Sequence, residues 1–323
     1  MAKPKLAVYW AASCGGCDIA ILDIEDKILD VAAFFDICFW PCATDFKYDD
    51  VRKMADKSIT LTLFNGAIRS SENYEIAKLL RQKSVVLCAF GGCASEGGIP
   101  GLANFYDKKS IMDYAYRLSP SVESNGGVMP RPEVEVKEGK LEIPVLWNTV
   151  RSLRQVVDVD YVIPGCPPQS DQIAAVVAVV IDILQNGKPL PPKGTVLGAS
   201  EKSCCDECPR ERNVKKIKQF KRPFESVTDP ELCLMEQGIV CMGPATRSGC
   251  GAKCVKAGVP CRGCYGLPAN CRDQGAKMAS AIASVIDSTD PKEINQIIDG
   301  IADPLGTFYR FSLADSMLRR AQS

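Results

Sequence analysis

Seventeen cysteines and no histidine set the chemistry open to this chain. Without imidazole there is no haem held by histidine, no mixed Cys/His zinc site, no Rieske centre, and no Ser-His or Cys-His nucleophile. All-thiolate ligation remains, which means zinc held by four cysteines or iron–sulfur clusters. A disulfide scaffold is the other common use of dense cysteine, but such scaffolds are small and poor in core. This chain has 323 residues, 46% of them hydrophobic, enough for a sizeable core.

The spacing divides the thiols into two groups. In the first half, Cys14-Gly15-Gly16-Cys17 is joined by Cys93 in Gly91-Gly92-Cys93 and by Cys166 in Pro164-Gly165-Cys166-Pro167-Pro168. A lone Cys-x-x-Cys equally suits a redox pair or half a zinc site. Two further glycine-flanked cysteines favour a cluster, since glycine lets backbone approach closely and aim N–H groups at sulfur. The second half holds Cys204, Cys205, Cys208, Cys233, Cys241, Cys250, Cys254, Cys261, Cys264 and Cys271. Only Cys205–Cys208 and Cys261–Cys264 have the spacing of a zinc knuckle. Irregular intervals with Gly-Pro turns suit cuboidal clusters held by loops better than zinc. Cys38 and Cys88 fall inside apolar strands and read as inert core thiols. Cys42 follows Trp40-Pro41 near a strand end, where it could lie close to the first group.

The elements that must position these thiols are legible too. Lys5–Trp10, Asp36–Trp40, Ser58–Phe64, Ser84–Phe90 and Asp160–Ile163 read as strands, and Asp18–Leu29, Glu72–Arg81 and Ser170–Leu184 as helices. This alternation predicts an α/β fold, a flavodoxin-like doubly wound parallel sheet over residues 1–190. Cys14, Cys17, Cys93 and Cys166 then all follow strands. They can meet at the carboxyl ends of the sheet, where such folds bind ligands. Ser119–Glu142, rich in Pro, Gly and charge, reads as a surface excursion. A Gly187–Pro192 linker leads to residues 191–323, a loop-rich domain with few helices that bound metal would cross-link. A helical pattern returns near Gln274, and the chain closes on Phe308-Tyr309-Arg310-Phe311 and a short basic helix.

Charge excludes more than it suggests. Lys+Arg 39 balance Asp+Glu 39, so nothing points to nucleic acid or an anionic membrane. The longest apolar run, Ile173–Leu184, is too short to span a bilayer and is interrupted by Asp182. The first residues carry no export signal, so a cytoplasmic location is expected. Gly91–Gly98 lacks the G-x-G-x-x-G spacing of a dinucleotide fingerprint. The basic run Arg210, Arg212, Lys215, Lys216, Lys218, Lys221 and Arg222 reads as a solvated helix face, or as a docking surface for an acidic partner.

Taken in order, Cys14-Gly-Gly-Cys17, Gly92-Cys93, Gly165-Cys166-Pro167-Pro168, Cys205-Asp-Glu-Cys208-Pro209-Arg210, Cys233 to Cys241-Met-Gly-Pro244 and Cys261-Arg-Gly-Cys264 resemble the motifs of nickel–iron hydrogenase small subunits. The resemblance spans nearly the whole chain. It looks closest to the cytoplasmic, methyl-viologen-reducing (F420-non-reducing) type that serves heterodisulfide reductase. It implies three 4Fe–4S clusters: a proximal one on Cys14, Cys17, Cys93 and Cys166, a distal one on Cys205, Cys208, Cys233 and Cys241, and a medial one on Cys250, Cys254, Cys261 and Cys264. It also implies a nickel-bearing large subunit, against which Phe308–Phe311 is expected to bury, and a further iron–sulfur or flavin subunit that accepts electrons.

Departures from the family are informative. Periplasmic relatives place histidine where Cys205 stands, and their medial cluster often has three irons, whereas Cys254 offers a fourth thiol here. The added ferredoxin pattern of deazaflavin-reducing relatives is missing. So are the nickel motifs Arg-x-Cys-Gly-x-Cys and Asp-Pro-Cys-x-x-Cys, which places nickel chemistry on another chain. Cys204 beside Cys205 leaves the distal set open by one residue, and Cys271 has no assigned role. The rival reading is a zinc-stapled assembly protein with no redox role, which would be colourless rather than brown.

Overall fold

Leu6 and Val8 belong to one buried cluster, Ala7 and Tyr9 to another, and the four alternate along a single strand. A strand apolar on both faces needs cover on both. The computed structural model, which describes residues 3–123, 127–213 and 216–318, shows that cover. The strands are β1 (Lys5–Trp10), β2 (Asp36–Phe39), β3 (Ile59–Asn65), β4 (Ile68–Ser70), β5 (Ser84–Phe90), β6 (Glu133–Val136), β7 (Gly139–Glu142), β8 (Leu146–Arg151) and β9 (Tyr161–Ile163). Five of them form a parallel sheet in the order β2-β1-β3-β5-β9. Counted among themselves along the chain, that is the flavodoxin-like order 2-1-3-4-5.

The N-terminal helices are α1 (Gly16–Leu22), α2 (Ile28–Phe34), α3 (Tyr48–Lys53), α4 (Ser71–Lys83), α5 (Gly92–Glu96), α6 (Lys108–Asp113) and α7 (Ser170–Asn186). Ile21 of α1, Val31 of α2 and Ile173 of α7 cover the Leu6 face of the sheet. Val51 of α3 and Ile76 and Leu80 of α4 cover the Tyr9 face. The helix expected over Asp18–Leu29 is broken into α1 and α2. Glu25 takes a left-handed backbone (φ 58) between them, and the acidic run Asp23, Glu25, Asp26 sits at the end of α1, where the helix dipole disfavours negative charge.

The excursion at Ser119–Glu142 carries the hairpin β6–β7, exposed along its length; residues 124–126 lie outside the described residues. Beyond residue 190 the chain still touches the sheet. Val196 bridges to Val162 of β9, and Tyr161 Oη donates to the Pro191 carbonyl at 2.7 Å.

The second half folds through short turns and the helices α8 (Lys253–Lys256), α9 (Gln274–Val285), α10 (Pro291–Asp299) and α11 (Pro304–Phe308). It has more core than its weak periodicity suggests. Ile217, Phe220, Leu234, Ile239, Met278, Ile282 and Leu313 pack in one cluster that also contains Cys204, Cys241 and Cys261. Phe308, Tyr309 and Phe311 are buried within this chain, with the Tyr309 ring against Gly275 of α9, so these rings are not a free docking tail. After them comes a short turn, Leu313–Asp315; the basic Arg319 and Arg320 lie outside the described residues.

Asp160, 3% exposed, pins the far end of the sheet. Its carboxylate accepts from Arg81 Nη1 (2.6 Å), from the Leu87 amide (2.9 Å) and from Lys193 Nζ (2.8 Å). Burial raises its pKa, but the bonds from Arg81, Lys193 and Leu87 outweigh that and hold it below the usual carboxylate range. Its contribution is therefore present above about pH 4 and is lost as pH falls through the lowered folded value. Asp160→Ala leaves Arg81 without its carboxylate partner and should cost about 2–4 kcal/mol. Anaerobic urea unfolding followed by tryptophan fluorescence checks this; an unchanged midpoint would remove Asp160 from the list of anchors.

Candidate metal centres

The loops leaving β1, β5 and β9 bring Cys14, Cys17, Cys93 and Cys166 to one place at the carboxyl end of the sheet. Cys17 feels the charge of the other three, Cys93 that of Cys166 and Cys14, and Cys166 that of Cys14. Burial, then the neighbouring thiols, pushes Cys17 up strongly and Cys93 up to about 12. Thiols pushed up in this way hold their protons until a cation displaces them. The surrounding glycines are a steric requirement. A Cβ on Gly91 (φ +85) would collide with Cys17 Sγ, and a Cβ on Gly98 (φ +54) would lie 2.5 Å from Cys93 Sγ. The Gly16 amide donates to Cys14 Sγ at 3.5 Å.

Behind this set sits Asp18, 5% exposed. Its carboxylate accepts from Trp40 Nε1 and from Asn65 Nδ2, both at 2.8 Å, and from the Cys42 thiol at 3.3 Å. The ends of β2 and β3 are thereby tied to the start of α1, which fixes Cys17. Cys42 lies beside the first set through Asp18, while Cys38 and Cys88 are buried in the sheet core at 3% and 1%.

Cys205, Cys208, Cys233 and Cys241 form a second set. Cys205 is pushed up to about 12 by burial and then by Cys241, Cys233 and Cys208, with Arg212 opposing. Gly243 allows the approach: a Cβ there would lie 2.9 Å from Cys205 Sγ and 3.7 Å from Cys241 Sγ.

Cys250, Cys254, Cys261 and Cys264 form the third. Burial, then Cys261, Cys250, Cys166 and Cys254, pushes Cys264 up to about 12. Cys204 belongs with this third set and not with the second. It is 1% exposed, and its sulfur lies within 4.8 Å of Cys250 Sγ and of a Glu207 carboxylate oxygen. Adjacent residues thus face different centres.

The third set touches both others. The Cys261 amide donates to Cys241 Sγ of the second at 3.3 Å. On the other side, the Cys264 carbonyl lies 3.6 Å from where a Gly92 Cβ would stand, beside Cys93 and Cys166. Glu96, at the end of α5, spans that same junction. Its Oε1 accepts from the Leu267 amide at 3.2 Å, and its buried Oε2 has no hydrogen-bond partner among the described residues. Burial raises its carboxyl above the usual range, against the Leu267 amide and the charges of Arg154 and Arg247. Tyr265 adds a second tie, donating to Gln172 Oε1 of α7 at 2.7 Å.

The twelve cysteines named from sequence therefore gather as three groups of four, in the spatial order first, third, second. All-sulfur donor sets, crowded by glycines rather than by bulky side chains, fit iron–sulfur clusters. Cys271 lies elsewhere, donating to the Asp273 carbonyl at 3.4 Å. Arg210 leaves the basic run: it is buried and donates to the carbonyls of Val255, Asp229 and Leu232, while Lys215 lies outside the described residues. Asp18, Glu96 and Glu207, whose carboxylate accepts from the Cys250 thiol at 3.4 Å, were not singled out by sequence. The only signal was a carboxylate one to three residues from a candidate ligand. Among the described residues no helix is long and apolar enough to cross a membrane.

Comparison with known proteins gives a consistent picture. Residues 14–180 match the family described as NADH ubiquinone oxidoreductase, 20 Kd subunit. The chain is 38% identical to the iron–sulfur subunit of the F420-non-reducing hydrogenase of Archaeoglobus profundus over 98% of both chains. It is 39% identical to the corresponding subunit of the F420-non-reducing hydrogenase of Methanothermobacter marburgensis, over 98% of this chain and 96% of that one. In fold it resembles a chain of the nickel–iron–selenium hydrogenase of Desulfovibrio vulgaris Hildenborough, with a TM-score of 0.51 at 18% identity over 82% of this chain and 94% of that one.

Proposed function

This chain belongs to the nickel–iron hydrogenase small subunits, and from that premise we propose that it carries electrons through three 4Fe–4S centres between a nickel-bearing large subunit and a further redox subunit. Membership makes it an iron–sulfur subunit of an oxidoreductase acting on hydrogen, with the nickel site on a partner chain. The finer reading assigns Cys14, Cys17, Cys93 and Cys166 to the proximal centre, Cys250, Cys254, Cys261 and Cys264 to the medial one, and Cys205, Cys208, Cys233 and Cys241 to the distal one. The proximal centre belongs to a flavodoxin-like domain over residues 1–190, the other two to residues 191–323. The complex is cytoplasmic, and its acceptor is an iron–sulfur or flavin subunit of the heterodisulfide reductase kind.

The observation that carries this reading is the contact of the three thiol sets in series, through Gly92 and Cys264 on one side and Cys261 and Cys241 on the other. Iron–sulfur clusters supply one-electron carriers whose potentials follow hydrogen bonding and exposure. The residues of this chain set those terms. The Cys261 amide places a donor on Cys241 sulfur, the Gly16 amide one on Cys14 sulfur, and burial of Cys17, Cys93 and Cys241 keeps water away. Three four-thiol sets should bind about twelve irons and about as many acid-labile sulfides per chain. Anaerobic iron, sulfide and zinc assays on the native complex test this. About four irons with zinc present would overturn the three-centre reading.

A further inference from the structure

The third thiol set holds one more sulfur than a four-iron cluster needs. Cys204, Cys250, Cys254, Cys261 and Cys264 lie together, and the two candidates for the last position differ in setting. Cys254 is exposed, on the four-residue helix α8 between Lys253 and Lys256, next to Gly251 and Ala252, both with left-handed backbone. Cys204 is buried in the second hydrophobic core. Its amide donates to the Thr246 carbonyl at 2.7 Å, and its turn is fixed by Asp206, which accepts from the Ser203 amide and hydroxyl at 2.8 and 2.7 Å.

A bland account makes Cys204 a small buried hydrophobe. Such a thiol would be expected to face carbon. This one faces polar atoms instead: its sulfur, Cys250 Sγ and a Glu207 carboxylate oxygen all lie within 4.8 Å of one another. Cys254 feels the charge of Cys261 and Cys250, as Cys204 does. Two thiols that share two neighbours of a cuboidal site can compete for the same remaining corner.

We propose that Cys204 is a second, buried ligand for the medial centre, able to take the iron that Cys254 takes. The inference rests on the three-centre reading above. In the exchange an iron–sulfur bond to Cys254 breaks and one to Cys204 forms. The proton that Cys204 gives up ends on the vacated Cys254 sulfur. No oxidation state changes. Glu207 lines the same corner: its carboxylate accepts from the amides of Gly249 and Ala252 at 3.0 and 3.2 Å and from the Cys250 thiol at 3.4 Å.

The test compares Cys254→Ala with the double variant Cys204→Ala/Cys254→Ala in the native complex. It reads iron per chain and low-temperature electron paramagnetic resonance of oxidised and reduced samples. Cys254→Ala should keep about twelve irons, and the double variant should fall to about eleven with a new three-iron signal in the oxidised state. The proximal signal of the reduced samples, unchanged in both, reports that the chain has folded. A three-iron signal already in Cys254→Ala would overturn the proposal, as would a double variant that keeps its four-iron medial centre. Wild-type complex holding only about eight irons would instead sink the three-centre reading itself.

Discussion

Cys17→Ser should cut hydrogen-dependent reduction of every acceptor by at least about a hundredfold, the upper range for disturbing a metal's surroundings. Cys17 lies in the first turn of α1, 6% exposed, and Asp18 holds its neighbourhood rigid through Trp40 and Asn65. A serine oxygen there is harder and less easily deprotonated than sulfur, so it ligates iron poorly. The sheet should persist, because Cys17 is one member of a large buried cluster with Leu6, Val8, Leu63 and Phe90, and serine is close to it in size. Cys208→Ser makes the contrast. It should spare hydrogen–proton isotope exchange, which needs only the nickel site, while impairing transfer to a protein acceptor. Isotope exchange, viologen reduction and circular dichroism read the two variants side by side. Unimpaired transfer to the physiological acceptor in Cys208→Ser would mean that electrons leave by another route.

Gly91→Ala should be almost as damaging although it removes no ligand. Gly91 combines φ +85 with ψ 163, a region that residues other than glycine enter at a cost of about 1–3 kcal/mol. Its added Cβ would also run into Cys17 Sγ, with the Gly165 carbonyl 3.5 Å away on the other side. Backbone cannot yield there, since the Gly91 amide donates to the Ile163 carbonyl at 2.8 Å and the Gly92 amide to the Gly165 carbonyl at 2.6 Å. Cys17 must move, and the first centre should lose its irons, leaving about eight per chain. Gly187→Ala is the control: it too has positive φ (61), but nothing lies within 4 Å of its Cβ position. If both variants keep about twelve irons, the glycine at 91 is only a turn residue and the crowding around Cys17 carries no weight.

The five-stranded sheet was legible because its strands are apolar runs bounded by turn residues, from Lys5–Trp10 through Ser84–Phe90. Their thiol-bearing loops followed from the rule that such sheets bind at their carboxyl ends. The break at Glu25 was not legible, because apolar spacing continues through it from Ile21 to Ile28. The hairpin β6–β7 was hidden by its charge: Glu133, Glu135, Lys140 and Glu142 occupy one side of a ladder with little core to reveal it. In the second half the hydrophobic residues serve turns rather than long helices, so Ile217, Phe220, Leu234 and Ile239 form a core without a period. The side to which Cys204 turns could not be read from two consecutive cysteines. It depends on the carbonyl of Thr246, far along the chain, that holds its amide.

The bonds that Glu96 and Gln172 make across the two halves have a consequence for how the chain can be taken apart. Residues 184–190 are exposed and look like the natural place to cut. A protease acting there would leave a nicked molecule rather than two separate modules. Glu96 would still hold the Leu267 amide, and Tyr265 would still be locked onto Gln172. The halves are one piece of machinery with a dispensable covalent hinge. An excised sheet domain would carry away a buried carboxylate cut off from its partner, whereas the nicked molecule would keep every such bond in place.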